Sequence, residues 1–156
     1  MMKSLLLLGW LLVPAVGFAQ QAPVPSPAAA KPPLVLPPKK ANAILVQRRD
    51  SGLVALTALM QGLVNRGYTI KDVNREQLTV RTEPRAVSEV GAVVVDGAVQ
   101  GRQFVLTGGY AMEVSSRRST PIVYPGEGHH DRVAKAWEEL VKTAGLLGGT
   151  ITYRTQ

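Results

Sequence analysis

The clearest pattern in the chain is the alternation of apolar and polar residues along positions 102–114, RQFVLTGGYAMEV. Side chains of a strand point alternately to its two faces, so a period of two predicts a strand with one covered face. The residues predicted for that face are Phe104, Leu106, Gly108, Tyr110, Met112 and Val114.

Gly108 and Gly109 look like a hairpin turn inside this pattern, but parity argues against a turn. A two-residue hairpin at the glycines would place Leu106 and Tyr110 on opposite faces. One long strand, straight or bulged, keeps them on the same face. We therefore expect Gly108 to face the covering layer, at a thin point where a neighbouring element can come close, and Gly109 to face away.

Apolar residues at steps of three and four predict a first amphipathic helix at 51–66. Asp50 or Ser51 offers its N-cap, and Gly67 is placed to end it in a left-handed conformation. The apolar stripe predicted for this helix is Leu53, Leu56, Met60, Leu63 and Val64.

A second amphipathic helix is predicted at 131–144, opened by His129, His130 and Asp131. Its predicted buried stripe is Val133, Trp137, Leu140, Val141 and Ala144. The residues predicted to lie on its solvent side are Lys135, Glu138, Glu139 and Lys142.

Shorter apolar or alternating runs predict the remaining strands. The segment 83–90 contains Pro84 and is predicted as a loop, and Pro121 suggests that its strand lies at a sheet edge. The predicted strands are 43–47, 69–73, 77–82, 92–99, 120–124 and 150–154.

Two turns compete between strand 92–99 and the long strand. Asp96-Gly97 is the stronger turn signal by residue type. Gln100-Gly101 instead allows the whole of 92–99 to pair with the long strand, with Val95 opposite Leu106 and the apolar side chains on one face. We predict the turn at Gln100-Gly101.

These elements predict an α+β fold, in which two helices pack on one face of an antiparallel sheet of about five to seven strands. The element order is β-α-β-β-β-β-(β)-α-β. The strand predicted at 102–114 is then the long strand over which the two helices pack.

Residues 1–19 have the layout of a secretory signal peptide. Lys3 provides the positive end, and residues 5–16 form an apolar run shorter than the ~20 residues that cross a bilayer. Gly17 and Ala19 are small residues that suit cleavage after Ala19. We expect export to the periplasm or the medium, and no membrane span.

Residues 20–41 are rich in proline and alanine. Proline removes amide donors and holds the preceding residue extended, so this segment is predicted to be a disordered, extended tether. Its Lys39 and Lys40 offer only weak attraction to anionic lipids. A single folded domain is predicted at 42–156.

Composition excludes several classes of function. The chain has no cysteine, which excludes disulfides, thiolate metal sites, cysteine nucleophiles and a lipidated N-terminal cysteine. The net charge of +7 is scattered among acidic residues, and only 5% of residues are aromatic. Because single-stranded nucleic-acid binders use aromatic platforms, we expect no nucleic-acid partner.

The most suggestive cluster of chemical groups is Glu127, His129, His130 and Asp131. Adjacent histidines on a helix diverge by about 100°, whereas zinc-binding helices place two histidines four residues apart. Asp131 also suits the positive end of a helix. We therefore predict neither a metal site nor a cofactor, and keep the His129-His130 loop as an alternative ligand site.

No catalytic constellation is predicted. There is no G-x-S-x-G elbow and no phosphate-binding glycine loop, and Ser51 is better explained as an N-cap. The residues Arg48, Arg49, Arg117 and Arg118 form an anion-binding patch only if their two loops lie at one end of the sheet; solvated loop charges are the preferred interpretation.

The phrases ALMQGLVNRGYTI and AWEELVKTAGLLGGTITY, with the element order, resemble small exported bacterial domains of the TATA-binding-protein-like or helix-grip fold. The resemblance covers about residues 43–153 and implies helices on one face of an antiparallel sheet. Similar folds occur in accessory lipoproteins of outer-membrane assembly, but this chain lacks their lipidated cysteine. No functional residue carries over from the resemblance.

The sequence thus predicts an exported, non-enzymatic domain that binds a protein or another component of the cell envelope. The alternative is a small-ligand or metal-binding protein that uses the sheet face or the His129-His130 loop. An apolar pocket with converging polar groups would favour the alternative, and a fully packed interface between sheet and helices would oppose it.

Overall fold

The computed structural model describes residues 36–116 and 118–155. The predicted leader, and residues 20–35 of the predicted tether, lie outside the described residues. The described end of the tether makes internal contacts, because Ala41 is fully buried and its carbonyl accepts from the amide of Tyr124 at 2.7 Å. Ala41 also donates to the carbonyl of Pro38 at 3.0 Å.

Two helices and eight strands follow in the described chain, and every strand pair is antiparallel. The predicted α+β class is confirmed. The sheet has one strand more than the largest number predicted, because part of the predicted loop 83–90 forms β4. The elements are β1 Ala43–Gln47, α1 Gly52–Asn65, β2 Ile70–Asn74, β3 Thr79–Thr82, β4 Arg85–Val87, β5 Gly91–Gln100, β6 Gln103–Ala111, β7 Thr120–Pro121, α2 Arg132–Leu146 and β8 Thr150–Arg154.

The sheet has the strand order β2-β3-β5-β6-β1-β8, with β4 also paired to β5 and β7 also paired to β6. Its two longest strands, β5 and β6, therefore lie at the centre, and β2 and β8 end the strand order. The short strands β4 and β7 each pair with a single strand and are further edge segments, as predicted for the strand that contains Pro121. No helix among the described residues is long and apolar enough to cross a bilayer.

Both helices pack on one face of the sheet, which we call the covered face. A Cβ atom at Gly97 would lie 2.9 Å from Leu59 of α1, and one at Gly108 would lie 3.6 Å from Leu140 of α2. Because Gly108 pairs with Val95, Gly97 and Gly108 belong to the same face. A Cβ atom at Gly109 would instead meet Ser119, on the other face. The predicted orientations of the two glycines are confirmed.

The long strand continues through the glycines without a bulge against β5, but it ends sooner than predicted. It stops at Ala111, and Met112 and Val114 are 69% and 49% exposed. The prediction that these two side chains face the covering layer is wrong. The alternation of their residue types continues beyond the point where strand pairing ends.

The predicted register of β5 and β6 is also wrong. Gln100 pairs with Gln103, so the turn consists of Gly101 and Arg102, and Gly101 adopts a left-handed φ of 61°. Each β5 residue therefore pairs two positions further along β6 than predicted, and Val95 lies opposite Gly108. A shift of two residues preserves the face of every side chain, which explains why the predicted faces are right although the partners are not.

Helix α1 ends as predicted, in a Schellman motif. Gly67 has a φ of 89° and donates to the carbonyl of Val64 at 2.8 Å, while Tyr68 donates to that of Leu63 at 3.0 Å. The predicted stripe is rotated, however. Leu53 and Val64 are exposed, and the buried residues are Ala55, Leu56, Leu59, Gly62 and Leu63.

Helix α2 buries Trp137, Leu140 and Ala144 as predicted. Glu139, predicted to face solvent, is only 5% exposed, so that prediction is wrong. Strand β7 covers only Thr120–Pro121 of the predicted 120–124, because the chain leaves β6 after two residue pairs.

Candidate functional site

The face of the sheet opposite the helices, which we call the open face, carries small side chains along its centre. On β5 these are Ala92, Val94 and Ala98, and on β6 Val105 and Thr107. Val105 is only 4% exposed, because it pairs with Ala98 on one side and with Leu45 of β1 on the other. The centre of the open face is therefore lined mostly by small side chains, with Asp96 as its one charged residue on β5 and β6.

A groove of about 910 Å³ lies on the open face where β5 begins and β6 ends. Its floor contains Ala92, Val94 and Ala111, whose short side chains leave the space free. One wall is formed by residues of β2, β3 and the link to β4, and the other by Glu113, Val114, Ser116 and Ser119. The polar residues of this open-face groove are Lys71, Asp72, Arg81, Thr82, Glu83, Glu113, Ser116 and Ser119.

Thr82 shapes the first wall by ending β3. Its Oγ1 accepts a hydrogen bond from the amide of Val95 at 2.9 Å, so a side chain replaces the backbone acceptor at this position. Three residues, 82–84, then oppose two, Val94 and Val95, before β4 resumes the pairing with Arg85 opposite Val93. An extra residue bends a strand, and here it carries Glu83 and Pro84 to the rim of the groove.

The ion pair between Arg81 and Asp96 divides the open face. Arg81 Nε lies 3.1 Å from Asp96 Oδ1, and the two side chains are 56% and 41% exposed. Arg81 lines both the open-face groove and a second depression of about 400 Å³, which also contacts Asp96 and Thr107. Burial raises the pKa of Asp96 above its ordinary value of 3.8, and the charge of Arg81 opposes that shift.

On the covered side, Glu139 is the one charged residue that is buried among those the structure describes. Arg66, the C-cap residue of α1, donates to its two carboxylate oxygens at 3.0 and 2.6 Å. Arg85 of β4 and the hydroxyl of Tyr68 also donate to Oε1. The Arg85 guanidinium lies 4.5 Å from the centre of the Tyr68 ring. We call these four residues the Glu139 cluster.

The Glu139 cluster joins the end of α1, β4 and α2 at one point. Every oxygen of the carboxylate accepts from a guanidinium, so its hydrogen-bonding positions are occupied by residues of the cluster itself. Burial, the main cause, raises the pKa of Tyr68. The arrangement is that of a structural clamp.

The sequence signal for this clamp is weak but present. Glu139 stands between Ala136 and Thr143 on one helical face, and both neighbours are fully buried. The partners Arg66 and Arg85 are 73 and 54 residues away along the chain. A helical pattern alone does not identify partners at such separations.

The histidine cluster does not converge. Glu127, His129, His130 and Asp131 are all exposed, and Asp131 caps α2, its Oδ1 accepting from the amide of Ala134 at 2.9 Å. Within residues 36–116 and 118–155, no three His, Asp or Glu side chains are arranged to hold a metal ion.

The two loops that carry Arg48, Arg49 and Arg118 do not meet, so the condition for a four-arginine patch is not fulfilled. Arg48 follows β1 and its amide donates to Arg102, at the beginning of β6, whereas Arg118 precedes β7, which pairs at the end of β6. The two loops therefore lie at opposite ends of the sheet, and Arg117 lies outside the described residues. Arg48 itself is held by Asp50, at 3.0 Å, and by the carbonyl of Leu147.

A scan against models of protein families gives no match, and a search of curated protein sequences gives no significant one. The sequence offered a sheet face as an alternative ligand site but singled out no residue of it. The open-face groove is the feature with the room and the mixed chemistry to receive a partner. The small residues Ala92, Val94 and Ala111 are its only signal in the sequence.

Proposed function

We propose that this protein is an exported, non-enzymatic binding domain that receives an extended segment of an envelope protein on its open face. The observation that carries the proposal is the open-face groove, which lies on the sheet face that the helices leave uncovered. The export part of the proposal rests on the leader pattern of residues 1–19.

An extended polypeptide segment suits the groove better than a compact small molecule. Small-molecule sites are usually enclosed and mostly apolar, with a few polar groups. Here eight of the thirteen lining residues are polar, and the groove is open to solvent on the uncovered sheet face. A peptide presents backbone donors and acceptors along its length, which such a lining can satisfy.

The charges around the groove favour a segment that itself carries both signs. Lys71 and Arg81 stand on one wall with Asp72, and Glu113 stands on the other. Exposed charges of this kind contribute mainly to encounter rate and orientation, and salt weakens them. We therefore expect partner binding to weaken as ionic strength rises.

The second candidate is a small ligand in the same groove, and the groove volume favours it, since about 910 Å³ lies within the range of small-molecule sites. The covered face offers less to this candidate, because the sheet-helix interface there is filled by side chains such as Phe104, Leu106 and Leu140.

The test uses the absence of cysteine from the chain, which makes any introduced cysteine unique. Lys71→Cys and Glu113→Cys place a photo-activated cross-linker on the two walls of the groove. Glu138→Cys and Lys142→Cys are matched controls on the solvent side of α2, where both side chains are about 60% exposed. Each full-length variant is produced in the native cell and cross-linked in its envelope.

We expect one envelope protein to cross-link to both groove positions and to neither control position. Cross-linking that is equal at all four positions, or absent at the groove, contradicts the proposal. A different result would favour the small-ligand candidate. In that case a low-molecular-mass fraction of the envelope extract binds the protein, and attaching the cross-linker at Lys71→Cys or Glu113→Cys prevents this binding.

A further inference from the structure

The two strands that end the sheet order, β2 and β8, differ in how they are protected against pairing with another strand. β2 pairs only with β3, and β8 pairs only with β1, so each leaves one side without a strand from the described chain. An unpaired edge is a template for a further strand, and proteins commonly block it with charges or bulges.

The β2 edge carries both kinds of block. Its pairing with β3 shifts register between Ile70 and Asp72, which interrupts the regular ladder. Lys71 and Asp72, at the second and third of its five positions, are exposed charges. This edge is poorly suited to receive another strand.

The β8 edge carries neither block in its centre. All five residues pair with β1 in continuous register, and the sequence Thr150-Ile-Thr-Tyr has no charge before Arg154. Threonine, isoleucine and tyrosine are residues that favour strands. The edge is regular, uncharged over four residues, and open on one side.

Aromatic residues gather beside this same edge, although they make up only 5% of the chain. The ring of Trp137 lies 5.6 Å from that of Tyr124 and 5.8 Å from that of Tyr153. Tyr124 and Tyr153 remain partly exposed. Tyrosine and tryptophan are enriched where protein surfaces meet, so the edge has the composition of an interface as well as the backbone geometry.

We propose that β8 pairs with the β8 strand of a second copy of this chain, antiparallel and about a two-fold axis at Thr152. All five residues then pair: Thr152 faces its own counterpart, Ile151 faces Tyr153, and Thr150 faces Arg154. The apolar side chains meet on the covered face and the polar ones on the open face. Opposed residues of an antiparallel ladder alternate between hydrogen-bonded and non-hydrogen-bonded pairs, and a two-fold axis can pass through a pair of either kind.

Charge complementarity selects a second copy at β8 and rejects one at β2. The corresponding two-fold pairing of β2 would place Asp72 opposite Asp72, which is destabilising. At β8 the one charge, Arg154, faces the hydroxyl of Thr150. Symmetric strand pairing of this kind is an isologous interface, the common arrangement of homodimers.

The first experiment compares Thr152→Cys with Asp72→Cys in the full chain, which has no other cysteine. Each is the exposed third residue of a five-residue edge strand. Directly opposed residues of an antiparallel pair have Cα atoms about 4.5–5.5 Å apart, within the range of a disulfide. We expect mild oxidation to link Thr152→Cys into a covalent dimer and to leave Asp72→Cys monomeric.

The second experiment measures self-association by sedimentation. The unmodified chain is expected to form a dimer whose fraction rises with concentration. Thr152→Lys, which opposes two like charges, should weaken that dimer severalfold, whereas Thr152→Val should not. A chain that stays monomeric, or a dimer unaffected by Thr152→Lys, overturns the proposal. None of these readouts depends on the open-face groove, so the two proposals fail separately.

Discussion

The covered and open faces of the sheet are built on the same two central strands, yet they differ in side-chain size. The covered face presents Phe104 and Leu106 to the helices, and the open face presents Val94, Ala98 and Thr107 to solvent. Apart from Asp96 and Gln100 on the open face, strand β5 is apolar on both faces, so its polarity alone distinguishes them poorly. Size does: large side chains fill a layer, and small ones leave the floor of a groove.

Charge separates the two faces as well. On the open face the Arg81–Asp96 pair is exposed, and such pairs contribute little to stability. On the covered side, Glu139 is buried and pairs with two arginines. Loss of one member of this cluster leaves the remaining charges without a partner in a poorly solvated site. The same types of group therefore have different energetic weight on the two sides.

Among the charged residues, the largest effect is expected for Glu139→Ala. It leaves Arg66 and Arg85 without their shared carboxylate, and breaking a buried pair typically costs about 3–5 kcal/mol; the partial exposure of both arginines, 28% and 26%, places the expected loss at the low end of this range. Urea unfolding, followed by circular dichroism, measures the free energy of unfolding.

The neighbouring substitution Glu138→Ala is the matched control, since Glu138 is 59% exposed and pairs only loosely, at 3.9 Å, with Lys142. It should change the free energy of unfolding by no more than about 0.5 kcal/mol. Similar losses for the two variants would show that the Glu139 cluster does not hold the layer together.

The next effect distinguishes the buried and exposed stripes of α1. Leu59→Ala removes a fully buried side chain that packs over Gly97, and should cost about 2–5 kcal/mol. Leu53→Ala removes a side chain that is 57% exposed, and should cost less than about 1 kcal/mol. Equal costs in thermal or urea unfolding would restore the stripe predicted from the sequence.

The apolar stripe of α1 shows which features of the fold can be predicted from the sequence and which cannot. The position of α1 and the face of each glycine follow from local periodicity, and the position of β1 follows from a continuous apolar run. Each of these patterns lies within a single segment of the chain. The rotation of α1 does not follow from such a pattern, because Leu53, Leu56 and Leu59 are equally apolar and only the position of the sheet decides which are buried. The pairing of β5 with β6 was also missed, because it depends on whether the two-residue turn starts at Gln100, as predicted, or at Gly101, as observed.

The candidate sites were less predictable than the fold. The Glu139 cluster joins residues from three separate elements, and the open-face groove is defined by what small side chains leave empty. Neither has a local motif. The clusters that the sequence did single out, such as His129-His130, are exposed in the structure and share no common centre.

A smaller difference is expected between the two adjacent glycines of β6. Gly108→Val adds side-chain atoms near the carbonyl of Val94, at 2.8 Å, and Ile122, at 3.1 Å. Both belong to packed structure, so overpacking should cost about 1–3 kcal/mol. Gly109→Ala meets the side chain of Ser119, at 2.6 Å, which lies on the exposed approach to β7 and can move.

Gly109→Ala should therefore be the milder change, below about 1 kcal/mol. The double variant Gly109→Ala/Ser119→Gly removes the clashing side chain and should recover part of even that loss. If Gly109→Ala is as costly as Gly108→Val, or the double variant recovers nothing, the two faces do not differ in their tolerance at this point.

The smallest effect concerns the pH dependence of the open face. Because burial raises the pKa of Asp96 in the folded chain, its ionised form is less favourable there than in the unfolded chain. The unfolded chain then loses its proton first as pH rises, so Asp96 lowers stability between its ordinary value of 3.8 and its raised folded value. This is the reverse of a carboxylate held by a strong ion pair.

Asp96→Asn removes this titration. Relative to the unmodified chain, the variant should gain stability on going from pH 3 to pH 7, by less than about 1 kcal/mol, since solvent screens a side chain that is 41% exposed. Arg81→Ala, in contrast, should enlarge the Asp96 effect by removing the charge that opposes it. Urea unfolding at the two pH values separates these outcomes. A variant that instead loses stability at pH 7 would mean that attraction to Arg81 outweighs burial, and that the open face holds its ion pair as firmly as the covered face holds its own.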